Sequence, residues 1–179
     1  MSVLNQVLAS DDRLLDRVLA GRTPRWVRVW MLTATRLGDG WLWLATALLL
    51  IAAGPRGVRV LSAGVLSAGI ANTLMVCVKR RVRRPRPCER ASARGFDVAP
   101  LAWLPCDRFS FPSGHALNAF AIGSVIALGF PVVAPLVLPV AASVAASRVV
   151  LGLHWLSDVL AGALVGLAIG AAVWLALLC

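Results

Sequence analysis

Apolar runs almost free of charge alternate, along this chain, with short stretches that hold most of its Lys, Arg, Asp and Glu. Trp41 to Ala53, Val58 to Val78, Ala116 to Phe130, Leu136 to Ala146 and Trp155 to Cys179 form the runs. A bilayer core about 30 Å thick takes roughly 20 apolar residues as a helix, so the longer runs are built to cross one. Composition agrees. Of the 179 residues 59% are hydrophobic and 15% charged, where a soluble domain has closer to about a quarter charged. The expectation is an all-α, polytopic membrane helix bundle of about five transmembrane helices, preceded by amphipathic N-terminal helices.

The chain divides accordingly. Residues 1–37 read as amphipathic, interfacial helices. Leu14, Leu15, Val18 and Leu19 recur at helical spacing among Asp11, Asp12, Arg13, Asp16 and Arg17, with Ser10 as N-cap and Gly21 as stop. Thr23-Pro24 restarts a helix, with Thr as cap and Pro in the first position. Trp26, Arg28, Trp30 and Arg36 suit a helix lying on the bilayer. Residues 38–179 form the membrane-embedded domain. Gly38-Asp39-Gly40 breaks the helical pattern, and Gly54-Pro55-Arg56-Gly57 reads as a turn. The small residues from Ser62 to Gly69 let helices approach closely. The net charge of +10 does not point to nucleic acid, because the basic residues stand beside apolar runs, where lipid headgroups or a phosphorylated substrate account for them. No cleavable signal peptide is expected, and the four cysteines match no zinc spacing.

The turns expected between these spans bring Lys79–His115 and Arg148–His154 to one membrane face. Three cations, Lys79, Arg86 and Arg148, then surround two histidines. His154 and Asp158 are four apart, so on a helix the carboxylate can fix the imidazole tautomer and leave the other nitrogen free. His115 follows Pro112-Ser113-Gly114 at a helix start. There Ser113 can cap, Gly114 allows close approach of a ligand, and free backbone N–H groups favour an anion. One histidine with a carboxylate partner and one without suggest a nucleophile and a general acid. Each feature alone also has a purely structural explanation.

Three motifs occur in order: K-x6-R-P at Lys79, Arg86 and Pro87; P-S-G-H at Pro112 to His115; S-R-x5-H-x3-D at Ser147, Arg148, His154 and Asp158. In these the chain resembles the type 2 phosphatidic acid phosphatase superfamily, in its small bacterial membrane form, over residues 38 to 175. The resemblance implies a metal-independent lipid phosphatase that uses no cofactor. His154 would attack phosphorus, Asp158 would orient it, and His115 would protonate the leaving oxygen. Lys79, Arg86, Ser113, Gly114 and Arg148 would bind phosphoryl oxygens. A membrane-edge site suits a lipid phosphate: undecaprenyl pyrophosphate, phosphatidylglycerol phosphate, phosphatidic acid or a polyprenyl-linked sugar phosphate. The competing readings are a transporter or channel with a basic vestibule and a catalytically idle lipid-binding protein.

The expected location is a bacterial inner membrane with the site at its outer face. Counting charges by the positive-inside rule would put the site in the cytoplasm, whereas family precedent more often puts it outside. Cys88 and Cys106 bracket the loop from Cys88 to Phe111. Outside the cell they can pair, closing a loop of about 19 residues for roughly 3 kcal/mol.

Overall fold

The computed structural model describes residues 3–20, 23–89 and 108–178. Their α-helices are α1 Val3–Ala20, α2 Arg25–Arg36, α3 Leu42–Ala52, α4 Gly54–Val82, α5 Gly114–Gly129, α6 Ala134–Val150 and α7 Leu156–Leu178. The protein is a helical membrane bundle. Three stretches are long and apolar enough to cross a bilayer: Gly54–Glu89, Pro131–Val150 and Leu156–Leu177. Large apolar side chains such as Leu49, Val65, Leu136, Leu164 and Leu175 face outward and stay exposed, as expected where the solvent is hydrocarbon.

α5 is the axis. It packs most extensively on α7, then on α4 and α6. The contact with α7 is set by a glycine at every fourth position. A Cβ at Gly162, Gly166 or Gly170 would run into the backbone oxygens of Ser113, Leu117 and Ala121 respectively. Small residues at this spacing allow backbones to touch. The same contact brings the two helix starts together, where Ser113 N–H donates to the Asp158 carbonyl at 3.1 Å. On α4 the small residues Ala63, Ser67 and Ala71 are buried, with Ala71 in a cluster with Leu117 and Ala121 of α5. At the opposite end of the bundle Arg56 donates to the Gly129 carbonyl at 2.8 Å and lies over the Phe130 ring.

Several boundaries differ from the sequence expectation. Ser10 lies inside α1, where its Oγ accepts from Arg13 at 3.3 Å, because helical periodicity continues upstream of it. Gly21 lies outside the described residues. α2 starts at Arg25, with Pro24 just before it and no side-chain cap from Thr23; the Pro24 carbonyl accepts from Arg28 N–H. Gly38-Asp39-Gly40 bends the chain without ending it. A single wide turn spans Leu37–Trp41, with Gly40 at φ 142°, and joins α2 to α3. Gly54-Pro55-Arg56-Gly57 is already the first turn of α4, entered through Gly54 at φ 75°. Proline is tolerated there because its missing N–H would have no helical partner. α4 ends at Val82, with Arg83 left-handed at φ 50° before Pro85.

Candidate active site

The three motif segments meet at one end of a cavity of about 590 Å³ between α3, α4 and α5. Lys79, Arg86, Gly114, His115, Arg148 and His154 all line it. Lys79 comes from the last turn of α4 and Arg148 from the last turn of α6. His154 sits in the turn between α6 and α7. That turn closes on Arg148, whose carbonyl accepts from both Leu153 N–H and His154 N–H at 2.9 Å.

The cations are held in place by acceptors on other elements. Arg86 is buried. Its Nη1 donates to the Leu153 carbonyl at 2.7 Å and stands 3.1 Å from His154 Nε2. Arg148, also buried, donates through Nη1 to Thr35 Oγ1 of α2. Ser113 precedes α5 as expected, but its hydroxyl makes no cap bond and, although fully buried, has no hydrogen-bond partner among the described residues. The space a Cβ would take at Gly114 is held by the Met75 sulfur of α4, so this glycine permits a helix contact at the cavity wall.

His154 precedes the first turn of α7 and is not on the helix itself. Its Nδ1 lies 3.7 Å from Asp158 Oδ2. That is ion-pair range and longer than a hydrogen bond. The carboxylate is turned by other donors. Oδ2 caps Trp155 N–H at 3.0 Å and Oδ1 accepts from Arg84 at 2.6 Å. Burial holds the His154 imidazole pKa down to about 4, with Asp158 opposing that shift and Arg86 and Arg148 adding to it. The ring is therefore neutral near pH 7, with a lone pair available.

Two carboxylates and an arginine join the site that motif reading did not supply. Asp11 of α1 is buried and accepts from Arg84 at 2.7 Å, from Ser157 N–H at 3.1 Å and from Ser157 Oγ. Arg84 thus bridges Asp11 to Asp158 and also stacks over Trp155. Asp39, in the bend before α3, lines the cavity and accepts from His115 Nε2 at 2.7 Å. In the sequence Asp11 stands only as a polar residue of an amphipathic helix and Asp39 as part of a glycine break, while Arg84 is one of several arginines between Arg80 and Arg86.

A model of the family described as the PAP2 superfamily matches residues 58–178. The chain belongs to the PAP2 superfamily. It is a PAP2-type phosphatase and an integral membrane protein. Among relatives, the decaprenylphosphoryl-5-phosphoribose phosphatase of Mycobacterium tuberculosis is 37% identical over 131 residues, covering 73% of this chain and 69% of that protein. Phosphatidylglycerophosphatase B of Bacillus subtilis is 30% identical over 177 residues, covering 91% and 81%. A crystal structure of a transmembrane PAP2-type phosphatidylglycerolphosphate phosphatase from Bacillus subtilis superposes with a TM-score of 0.70 at 26% identity, covering 94% of this chain and 85% of that one. In this PAP2 chain the K-x6-R-P segment falls at the end of α4, P-S-G-H at the start of α5, and S-R-x5-H-x3-D across the α6–α7 turn. The pairing of Cys88 with Cys106 cannot be followed, since Cys106 lies outside the described residues.

Proposed function

We propose that this PAP2 protein removes a phosphate from a membrane lipid without a metal ion, through a phosphohistidine on His154. The carrying observation is the cavity itself. Its polar end holds Lys79, Arg86, Arg148 and both histidines, and it continues along Leu50, Val60, Val65 and Ile126 into the apolar depth of the bundle. A lipid fits such a shape with its phosphate among the cations and its tail alongside α3 and α4.

In the first step neutral His154 forms an N–P bond through Nε2 as the P–O bond to the lipid breaks. Asp158 compensates the positive charge that develops on the ring. His115 gives its proton to the departing oxygen. In the second step His115 takes a proton from water as that water attacks phosphorus, the N–P bond breaks, and inorganic phosphate leaves. The three cations offset charge on the phosphoryl oxygens, and the unpartnered Ser113 hydroxyl supplies a further donor. Helices α3 to α7 make about five crossings; the shorter α3 and α5 match a thinned bilayer around the site.

We place the site at the outer face of the membrane. A membrane-impermeant thiol reagent that reaches Cys88 only after cells are opened would overturn that placement. The chemistry is tested with purified protein and a panel of prenyl and glycerol lipid phosphates in excess chelator. Phosphate release, with acid-labile labelling of His154, is the expected result. Activity that vanishes in chelator and returns with magnesium or zinc would refute it.

A further inference from the structure

The leaving-group side of the cavity carries its own chemistry, separate from the phosphate cradle. Displacement at phosphorus puts the attacking and departing atoms roughly in line. If His154 attacks, as proposed above, His115 marks the opposite side. There His115 Nε2 donates to Asp39 Oδ1 at 2.7 Å, with Gly38 close enough to the imidazole that a Cβ would lie 3.1 Å from its Cδ2. The bend at Leu37–Trp41 therefore presents a carboxylate beside the departing atom. Also in the cavity lining, Asn118 donates to Asn72 Oδ1 at 2.8 Å and to the Gly114 carbonyl at 3.1 Å. The Asn118 Oδ1 is buried and has no hydrogen-bond partner among the described residues. Both features are acceptors, one of them anionic. They ask for a donor and repel an anion.

We propose that Asp39 sets the leaving-group class of this phosphatase, favouring a phosphate ester of a neutral, hydroxyl-bearing alcohol and disfavouring a diphosphate, whose leaving group is itself a phosphate. Two effects act in the same direction. The carboxylate holds His115 as the proton donor that a poor alkoxide leaving group needs, while a leaving phosphate needs little protonation. The same negative charge lies against a departing phosphate and not against a departing alcohol. In the favoured reaction the P–O bond to the alcohol breaks, the electron pair goes to that oxygen, and the His115 proton follows it. Asp39 acts through His115 and is a positioning residue.

The inference rests on the phosphohistidine reading, and the test separates the two. In detergent, kcat/KM is measured for lysophosphatidic acid, farnesyl diphosphate and 4-nitrophenyl phosphate, with wild type and Asp39→Asn. This parameter reports steps up to formation of the phosphoenzyme. The wild type should prefer lysophosphatidic acid to the diphosphate. Asp39→Asn should move that ratio at least about tenfold toward the diphosphate, as expected for loss of support to a general acid. The nitrophenyl ester, which leaves without protonation, should change less than about threefold. A wild type that prefers the diphosphate, or equal losses on all three substrates up to complete inactivity, would overturn the role of Asp39 alone. A wild type inactive on all three would overturn the proposed function and this inference with it.

Discussion

His154 and Asp158 stand four residues apart at the start of α7 and are almost fully buried, whereas His115 and Asp39 come together across 76 residues and remain about a quarter exposed. In the first pair the imidazole and carboxylate are 3.7 Å apart, and the carboxylate spends its oxygens on Arg84 and Trp155 N–H. In the second pair a direct 2.7 Å contact is made. The buried pair keeps a neutral ring with a usable lone pair. Across the exposed pair the Asp39 carboxylate accepts from the ring N–H of His115. Burial, and which other donors claim the carboxylate, thus separate two pairs of the same residue types, and the nucleophile and acid roles proposed for His154 and His115 rest on that difference.

Replacing the histidines strikes the comparison hardest. His154→Ala should lower kcat/KM on a lipid phosphate by about 10⁴-fold or more and abolish phosphoenzyme labelling; His115→Ala should cost about 10³-fold. If His154→Ala keeps substantial turnover, the division of roles is wrong. Asp158→Asn comes next, at about 10²-fold, because the nucleophile remains while its charge compensation goes. Phosphoenzyme should still form, slowly, in rapid-quench measurements.

A smaller effect is expected at one remove. Asp11→Asn weakens the hold on Arg84 without touching the histidines. A fall of about tenfold in kcat with little change in KM is expected, together with a lower Tm in detergent, since an ion pair this buried is costly to break. Unchanged kcat alongside a lower Tm would make α1 a stabilising element only.

The mildest test is pH. With the His154 pKa held near 4, the ring proposed as nucleophile stays neutral down to that pH. The acid limb of kcat/KM that belongs to it should lie near pH 4, well below the usual histidine value of about 6.5. Its depressed folded-state pKa also removes stability as pH falls from about 6.5 toward 4, where the unfolded chain takes up the proton first. An acid limb near 6.5 that disappears in His115→Ala would assign that limb to the other ring.

The two pairs were not equally legible. His154 and Asp158 announce themselves by spacing within one local segment, and the cations by their place in motifs at the ends of apolar runs. Composition and the apolar runs made the membrane bundle legible for the same reason, since hydrophobic runs are local, while three stretches among the described residues are long and apolar enough to cross a bilayer. Asp39 and Asp11 carry no local signal of their role. Their partners lie on other elements, reached through packing of the Leu37–Trp41 bend on α5 and of α1 on the start of α7. The spacing of Gly162, Gly166 and Gly170 was open to reading as the surface on which α5 and α7 meet. Ser10 and Pro24 misled because a cap is a property of backbone geometry, and residue type only favours it.

The bridge from Asp11 through Arg84 to Asp158 also imposes an order of events during synthesis. Asp11 leaves the ribosome long before Ser157 and Asp158, and Arg84 lies between them in the chain. Until the helix that begins at Leu156 has been made, the contacts of Asp11 with Ser157 and of Arg84 with Asp158 cannot form. On the roles proposed for His154 and Asp158, the site is therefore completed only once this last helix has been made and has packed against the rest.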